Sequence, residues 1–281
     1  MSDPERSKGS EETAGTDQVN ISGGPPQVGV VLPPDTRVRV ANSTAQPTCW
    51  IGQLETQWPD GPGIGTATLV GSRHLVTCAH NFFDPMTKKF CTSARFRPAA
   101  NRSAGGAPQV PYGHFDVKHM HVTDEYKIRG APAPPAGGIL PRDVTKYLSD
   151  YAVAELTHDI PDIPGESMLR VYWPGDGVVN NLACDIDGYS GDLDPTGHTM
   201  YTRNGNVNLF SSGDLIQYRM STYNGDSGAP VFAPAQGGRP YWDIVGIHVT
   251  GVDNDPPGAA NGFNFAVALN GDVLRWILEH L

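Results

Sequence analysis

From Val30 onward the chain is written in short apolar runs, each stopped within a few residues by Gly, Pro, Asn or Asp. One series holds the runs 49–54, 67–70 and 74–77; a second holds 150–156, 169–172, 182–186, 215–220, 230–232, 244–247 and 263–267. Runs this short between turn formers are strand signals, because a helix needs apolar positions sustained over about three turns. Many short strands must close or stack to hide their edges. Two series joined by a Pro- and Gly-rich stretch therefore predict an all-β fold of two antiparallel β-barrels, the first over about 37–140 and the second over about 165–268. Between Pro98 and Pro141 only 115–117 and 120–122 read as extended. The end alone looks helical: Asn270 or Asp272 can cap a C-terminal α-helix over about 271–281 with Val273, Leu274, Ile277, Leu278 and Leu281 on one face. No segment recurs at a period of roughly 20 to 50 residues.

Composition narrows the class further. The 33 glycines and 25 prolines make 58 of 281 residues, about 21%, below the roughly 25% at which low complexity takes over. Lys plus Arg total 20 against 30 Asp plus Glu, so the net charge of −10 argues against a phosphate-seeking surface and against nucleic acid as a partner. No apolar run nears the roughly 18 residues of a spanning helix, and no membrane partner is expected. Nothing in the pattern demands more than a monomer. Residues 1–29 carry too few large apolar groups to offset the entropy of ordering them, and read as a disordered N-terminal tail or pro-segment without the apolar core of a secretory signal. Cys49, Cys78, Cys91 and Cys184 are too few for a disulfide scaffold and lack close Cys-x-x-Cys pairs. A Cys78–Cys91 bridge and four buried thiols both remain open.

Three segments carry chemistry. Asn224-Gly-Asp-Ser-Gly-Ala-Pro230 places Ser227 between glycines, which permit the tight turn that brings the Gly225 and Ser227 N–H groups toward one point. A serine hydroxyl is a weak nucleophile and needs both a base and donors for the oxyanion it creates. Leu75-Val-Thr-Cys-Ala-His80 ends a strand with an imidazole, whose ordinary pKa near 6.5 suits a general base. Ser149-Asp150 precedes an alternating strand, where a carboxylate can accept the imidazole N–H and fix its tautomer. The chain order is His, Asp, Ser.

On these residues the sequence resembles a known family. The stretch from about Val30 to Leu281 is similar to the V8-like glutamyl endopeptidases, within the trypsin-like serine peptidases. The resemblance runs through Val30-Val-Leu-Pro, Thr66–Gly71, His80–Asp84, Asp143–Tyr147 with Asp150–Val153, Gly213–Phe232, Gly246-Ile-His248 and Gly262–Val267. It implies a chymotrypsin-like serine protease domain over 30–281. His80 would be the general base, Asp150 the orienting carboxylate, Ser227 the nucleophile, and the Gly225 and Ser227 N–H groups the oxyanion hole. No cofactor and no metal are implied; substrates would be proteins or peptides, and secretion is implied although the N-terminus does not show how.

The resemblance also carries a pocket. Where trypsin has an aspartate six residues before the nucleophile, this chain has Ser221, so selection for Lys or Arg is not expected. Thr222 and His248 match the pair that in glutamyl endopeptidases hydrogen-bonds a substrate carboxylate, which implies cleavage after Glu, less readily after Asp. Asp226 departs from the usual Asn of that family. It is open to three uses: receiving an amine freed by cleavage after Gly29, leaving that amine to the pocket, or bonding an internal Arg or backbone N–H. A protease of this fold with a non-acidic preference and a catalytically inert binding module are the rival readings. His119-Met-His121 reads as a surface pair rather than a metal site, and Asp253-Asn-Asp255 as a solvated turn rather than a weak calcium loop.

Overall fold

The computed structural model describes residues 29–129, 147–164, 169–210, 213–235, 241–252 and 262–281. The first barrel is built from β1 (Ile51–Trp58), β2 (Gly61–Leu69), β3 (His74–Thr77), β4 (Ser93–Pro98), β5 (Phe115–Val122) and β6 (Ala152–Leu156). It closes in the order β1-β2-β3-β6-β5-β4 and back to β1. The second is built from β7 (Leu182–Gly188), β8 (Tyr201–Phe210), β9 (Leu215–Tyr218), β10 (Pro230–Pro234), β11 (Trp242–Val252) and β12 (Phe263–Ala268). It closes as β7-β8-β9-β12-β11-β10 and back to β7. The two orders are the same, rank for rank. Closure leaves neither sheet an open edge.

The pattern that builds these strands is local. In β1 and β2 a two-residue turn over Pro59 and Asp60 joins Trp58 to its partner Gly61, and the register runs unbroken to Ile51 opposite Thr68. Apolar side chains from β1, β3 and β6, Ile51, Leu54, Leu75, Val76, Val153 and Leu156, fill the first core. Val207, Ile216, Val231, Val245 and Ala266 anchor the second.

Several expectations need correction. The first barrel does not end near 140: β6 supplies its closing strand, pairing antiparallel with both β3 and β5. It does not begin near 37 either, because Val38–Arg39 pairs with β8 of the second barrel. The two short extended pieces around residue 118 are one strand, β5, with an irregularity between Val117 and His119 that shifts its register. β4 and β8 were not expected as strands. β8 reads as polar because mainly Arg203 and Val207 turn inward.

The C-terminal helix is Gly271–Glu279, but its inward face is narrower than expected. Val273 and Ile277 are buried while Leu278 and Leu281 are exposed. Trp276 meets Tyr151 edge-on, with ring centroids 5.2 Å apart. Asn270 stands at the N-cap, yet its side chain donates to Asp214 rather than to the helix. All four cysteines are free buried thiols, so there is no Cys78–Cys91 bridge. No helix among the described residues is long and apolar enough to cross a membrane. Residues 1–28, the segment containing Asp143 and the segment Asp253-Asn-Asp255 lie outside the described residues.

Candidate active site

Register brings the first two candidate residues together. β3 and β6 are antiparallel, with Thr77 opposite Ala152. The chain leaving β3 and the chain entering β6 therefore meet at one end of the barrel. His80 sits three residues past Thr77 in a turn of 3-10 helix, Ala79–Asn81, and Asp150 sits two residues before Ala152. The carboxylate of Asp150 takes two bonds from the same residue: His80 Nδ1 lies 2.7 Å from Oδ2, and the His80 backbone N–H donates to Oδ1 at 2.9 Å. A carboxylate only accepts, so neutral His80 carries its proton on Nδ1 and leaves Nε2 as an acceptor. Asp150 is fully buried and His80 nearly so. Burial works against the imidazolium, but the Asp150 carboxylate and the Cys78 sulfur outweigh it and hold the His80 pKa well above the usual imidazole range.

Ser227 arrives from the second barrel, three residues ahead of β10. Its loop is bolted to the first barrel by polar side chains. The Thr66 N–H and the Asn81 amide both donate to the Ser227 carbonyl, at 2.8 and 2.9 Å. Thr66 Oγ1 donates to the Gly225 carbonyl, and Thr77 Oγ1, which donates to the Thr66 carbonyl, accepts from Asn81. Asn81 is the neighbour of His80, so one side chain ties the turn carrying the imidazole to the backbone of the serine. The Ser227 hydroxyl bonds to no described residue, and His80 Nε2 lies 3.5 Å from Cys78 Sγ. Such bonds commonly tighten only when substrate is present.

Two glycines are required here. Gly225 has φ +97°, and a Cβ on it would stand 2.1 Å from the Tyr189 carbonyl oxygen. Gly228 has φ +87°, and a Cβ there would meet Thr77 Oγ1 at 2.0 Å. Neither the Gly225 nor the Ser227 N–H donates to a described residue, which leaves both for an incoming oxygen.

Thr222 and His248 flank the same loop. His248 lies on β11 with its N–H on the Ala229 carbonyl and its own carbonyl accepting from Gly228 N–H. The register between β11 and β12 shifts between His248 and Thr250. Nδ1 of His248 is 2.6 Å from the Tyr218 hydroxyl and 3.1 Å from the Phe265 carbonyl, while Nε2 has no partner among the described residues. Burial, then the Arg203 and His80 charges, push its pKa down to about 3, so it is neutral at pH 7. Thr222 Oγ1 is buried without a hydrogen bond among the described residues, an orphan donor of the kind a ligand satisfies. Ser221 faces elsewhere: its hydroxyl bonds both the N–H and the carbonyl of Leu32.

In the intact chain Asp226 makes the internal contacts of its third option. It is fully buried, 3.1 Å from Nη2 of the equally buried Arg203, and accepts from Ser190 Oγ and the Tyr223 N–H. The Val30 nitrogen instead donates to Asn264 Oδ1 at 2.9 Å, and the Val30 carbonyl accepts from Thr222 N–H and Asn264. Gly29 lies against Thr222. Sequence reasoning missed Asn264, Tyr218, Arg203 and Asn81. Asn264 alone had a signal, as the polar residue inside an apolar strand.

His119 and His121 are an exposed pair on β5.

Two barrels of one topology, with His, Asp and Ser at their seam, define the chymotrypsin-like class of fold. Solved structures of proteases are similar to the chain in fold. One is a Glu endopeptidase in complex with MPD, 20% identical, TM-score 0.68, over 89% of this chain and 99% of that one. Another is the thermostable serine protease AL20 from an extremophilic microorganism, 15% identical, TM-score 0.62, over 83% and 96%. Within the class, curated proteins to which the chain is similar include glutamyl endopeptidases of Staphylococcus aureus. That of strain MW2 is 24% identical over 265 residues, 90% of this chain. The chain spans 64% of that relative's length. No protein-family model matches the chain.

Proposed function

We propose that the chain is a serine endopeptidase that cleaves protein substrates after Glu, less readily after Asp, through an acyl-enzyme on Ser227. The observation that carries this reading is the pair of hydrogen bonds from His80, ring and backbone, to the Asp150 carboxylate, beside a serine loop fastened to the same turn. In the first step the Ser227 hydroxyl proton passes to His80 Nε2 as Oγ bonds to the scissile carbonyl carbon. The oxyanion is received by the Gly225 and Ser227 N–H groups, and the imidazolium is steadied by Asp150. Collapse returns the proton to the leaving amine, and water repeats the sequence to release the acid. Thr222 Oγ1 and His248 Nε2 are the unpartnered polar atoms available to a substrate carboxylate. An uncharged side chain would leave them unsatisfied, at about 1–3 kcal/mol each.

The Val30 geometry favours one use of the N-terminus. Arg203 already neutralises Asp226, whereas an amine freed by cleavage after Gly29 would begin beside Thr222, adding a positive charge to the pocket. A peptide-library cleavage profile is the test. Wild-type chain should cut after Glu above all other residues, Ser227→Ala should not cut at all, and His248→Ala should lose acidic preference more than it loses turnover of small activated esters. A profile dominated by aromatic or small residues would leave the peptidase and remove the acidic pocket; turnover surviving in Ser227→Ala would remove both.

A further inference from the structure

We propose that Cys78 Sγ and His80 Nε2 form a two-ligand site for a soft divalent cation, Zn²⁺ foremost, whose binding takes the imidazole lone pair away from Ser227 and reversibly stops catalysis. The two atoms are 3.5 Å apart. A tetrahedral zinc ion, with bonds of about 2.3 Å to sulfur and about 2.05 Å to nitrogen, spans roughly 3.5 Å between two such donors. The pair therefore already has the bite the ion needs. Nδ1 of the same ring is held by Asp150 at 2.7 Å, the carboxylate-histidine arrangement that fixes a ligating imidazole and makes its other nitrogen more basic. Cys78, His80 and Asp150 have potential ligand atoms within 4.8 Å of one another, the one such trio among the described residues. With both oxygens turned to His80, Asp150 acts behind the ring rather than on the ion.

Access is from the seam. Cys78 is fully buried, while His80 and Ser227 keep 7% and 8% of their surface exposed. The remaining coordination positions would be filled by water entering from that side. Binding forms a Zn–S bond and a Zn–N bond, and the thiol proton goes to solvent; no electron changes hands. In the proposed peptidase chemistry Cys78 itself neither attacks the substrate nor relays a proton.

The inhibitory consequence rests on the serine-peptidase reading, but the binding does not. Co²⁺ titrated into the full chain should give the near-ultraviolet thiolate-to-cobalt charge-transfer band at one equivalent. Zn²⁺ should displace it, and should inhibit ester turnover in a way that a chelator reverses. In Cys78→Ala the band should vanish and inhibition should need at least tenfold more Zn²⁺, each rate being compared with that variant's own metal-free rate. His121→Ala with His280→Ala, whose rings lie 5.0 Å apart on the surface and offer the rival site, should change neither. No thiolate band in the wild-type chain, equal inhibition of Cys78→Ala, or loss of inhibition in the surface pair would each overturn the site. A band without any turnover would keep the site and defeat the peptidase; turnover without a band would do the reverse.

Discussion

Gly225 is held by more than its positive φ. The position a Cβ would take is already filled by the carbonyl oxygen of Tyr189, so Gly225→Ala must swing the peptide whose N–H is proposed to meet the oxyanion. Its expected effect is a fall of about 10²–10³ in kcat with a smaller change in KM, read from steady-state kinetics on an acyl substrate. A variant with unchanged kcat would show that this N–H takes no part. At the same scale His80, as the proposed base, would set the pH profile. Its folded pKa is raised, opposed by burial but carried by Asp150 and Cys78, and only the neutral ring accepts the serine proton. Activity therefore falls as pH drops through a value above the ordinary 6.5. Cys78→Ala, which removes the sulfur contact, should move the acid limb of kcat/KM to lower pH, and a limb moved upward would contradict the assignment. Ser227, His80 and Asp150 could be singled out in the sequence because each residue type is chemically scarce in its proposed role and the flanking strands fix where it emerges. Asn81, Thr66 and Thr77 were not, because a side chain that bonds a distant backbone carbonyl leaves no local pattern.

Strands legible from apolar runs are those that turn several large side chains inward, as β1, β3 and β6 do. β8 escaped because its inward positions include an arginine, and a charge in a strand reads as surface until its partner is known. Arg203 and Asp226 are both fully buried and 3.1 Å apart, and they join a barrel strand to the loop that carries the serine. Oδ1 of Asp226 and Nη2 of Arg203 have no other hydrogen bond, so the pair is the sole satisfaction each atom has among the described residues. Removing one member leaves an uncompensated charge in the core, and Asp226→Asn or Arg203→Met is expected to lower the unfolding free energy by about 3–5 kcal/mol. The double variant should lose less than the sum of the singles, measured by urea denaturation. Additive losses would mean that the two residues act independently and that the serine loop is not fastened through this pair.

The whole molecule repeats one strand order in two barrels whose sequences show no repeat, since closure constrains hydrogen bonding and inward burial but leaves residue identity free. What the repeat creates is a seam, and the seam concentrates buried titratable groups that no single segment reveals. His248 is the clearest: fully enclosed, with burial first and the Arg203 charge second pressing its pKa to about 3. In the unfolded chain the same imidazole titrates near its ordinary value of about 6.5. Between those two values the unfolded state binds a proton that the folded state refuses, so acid favours unfolding, and this residue's contribution to stability is lost as pH falls through that window. The slope it adds reaches about 1.4 kcal/mol per pH unit. Unfolding free energies of the wild-type chain and of His248→Gln, compared at several pH values from 7 down to 4, separate this term from the carboxylates that both proteins share. The wild-type curve should descend more steeply than the variant's below pH 6.5. Parallel curves would mean that His248 takes up its proton in the folded state, and that the pocket it borders is wetter than its burial implies.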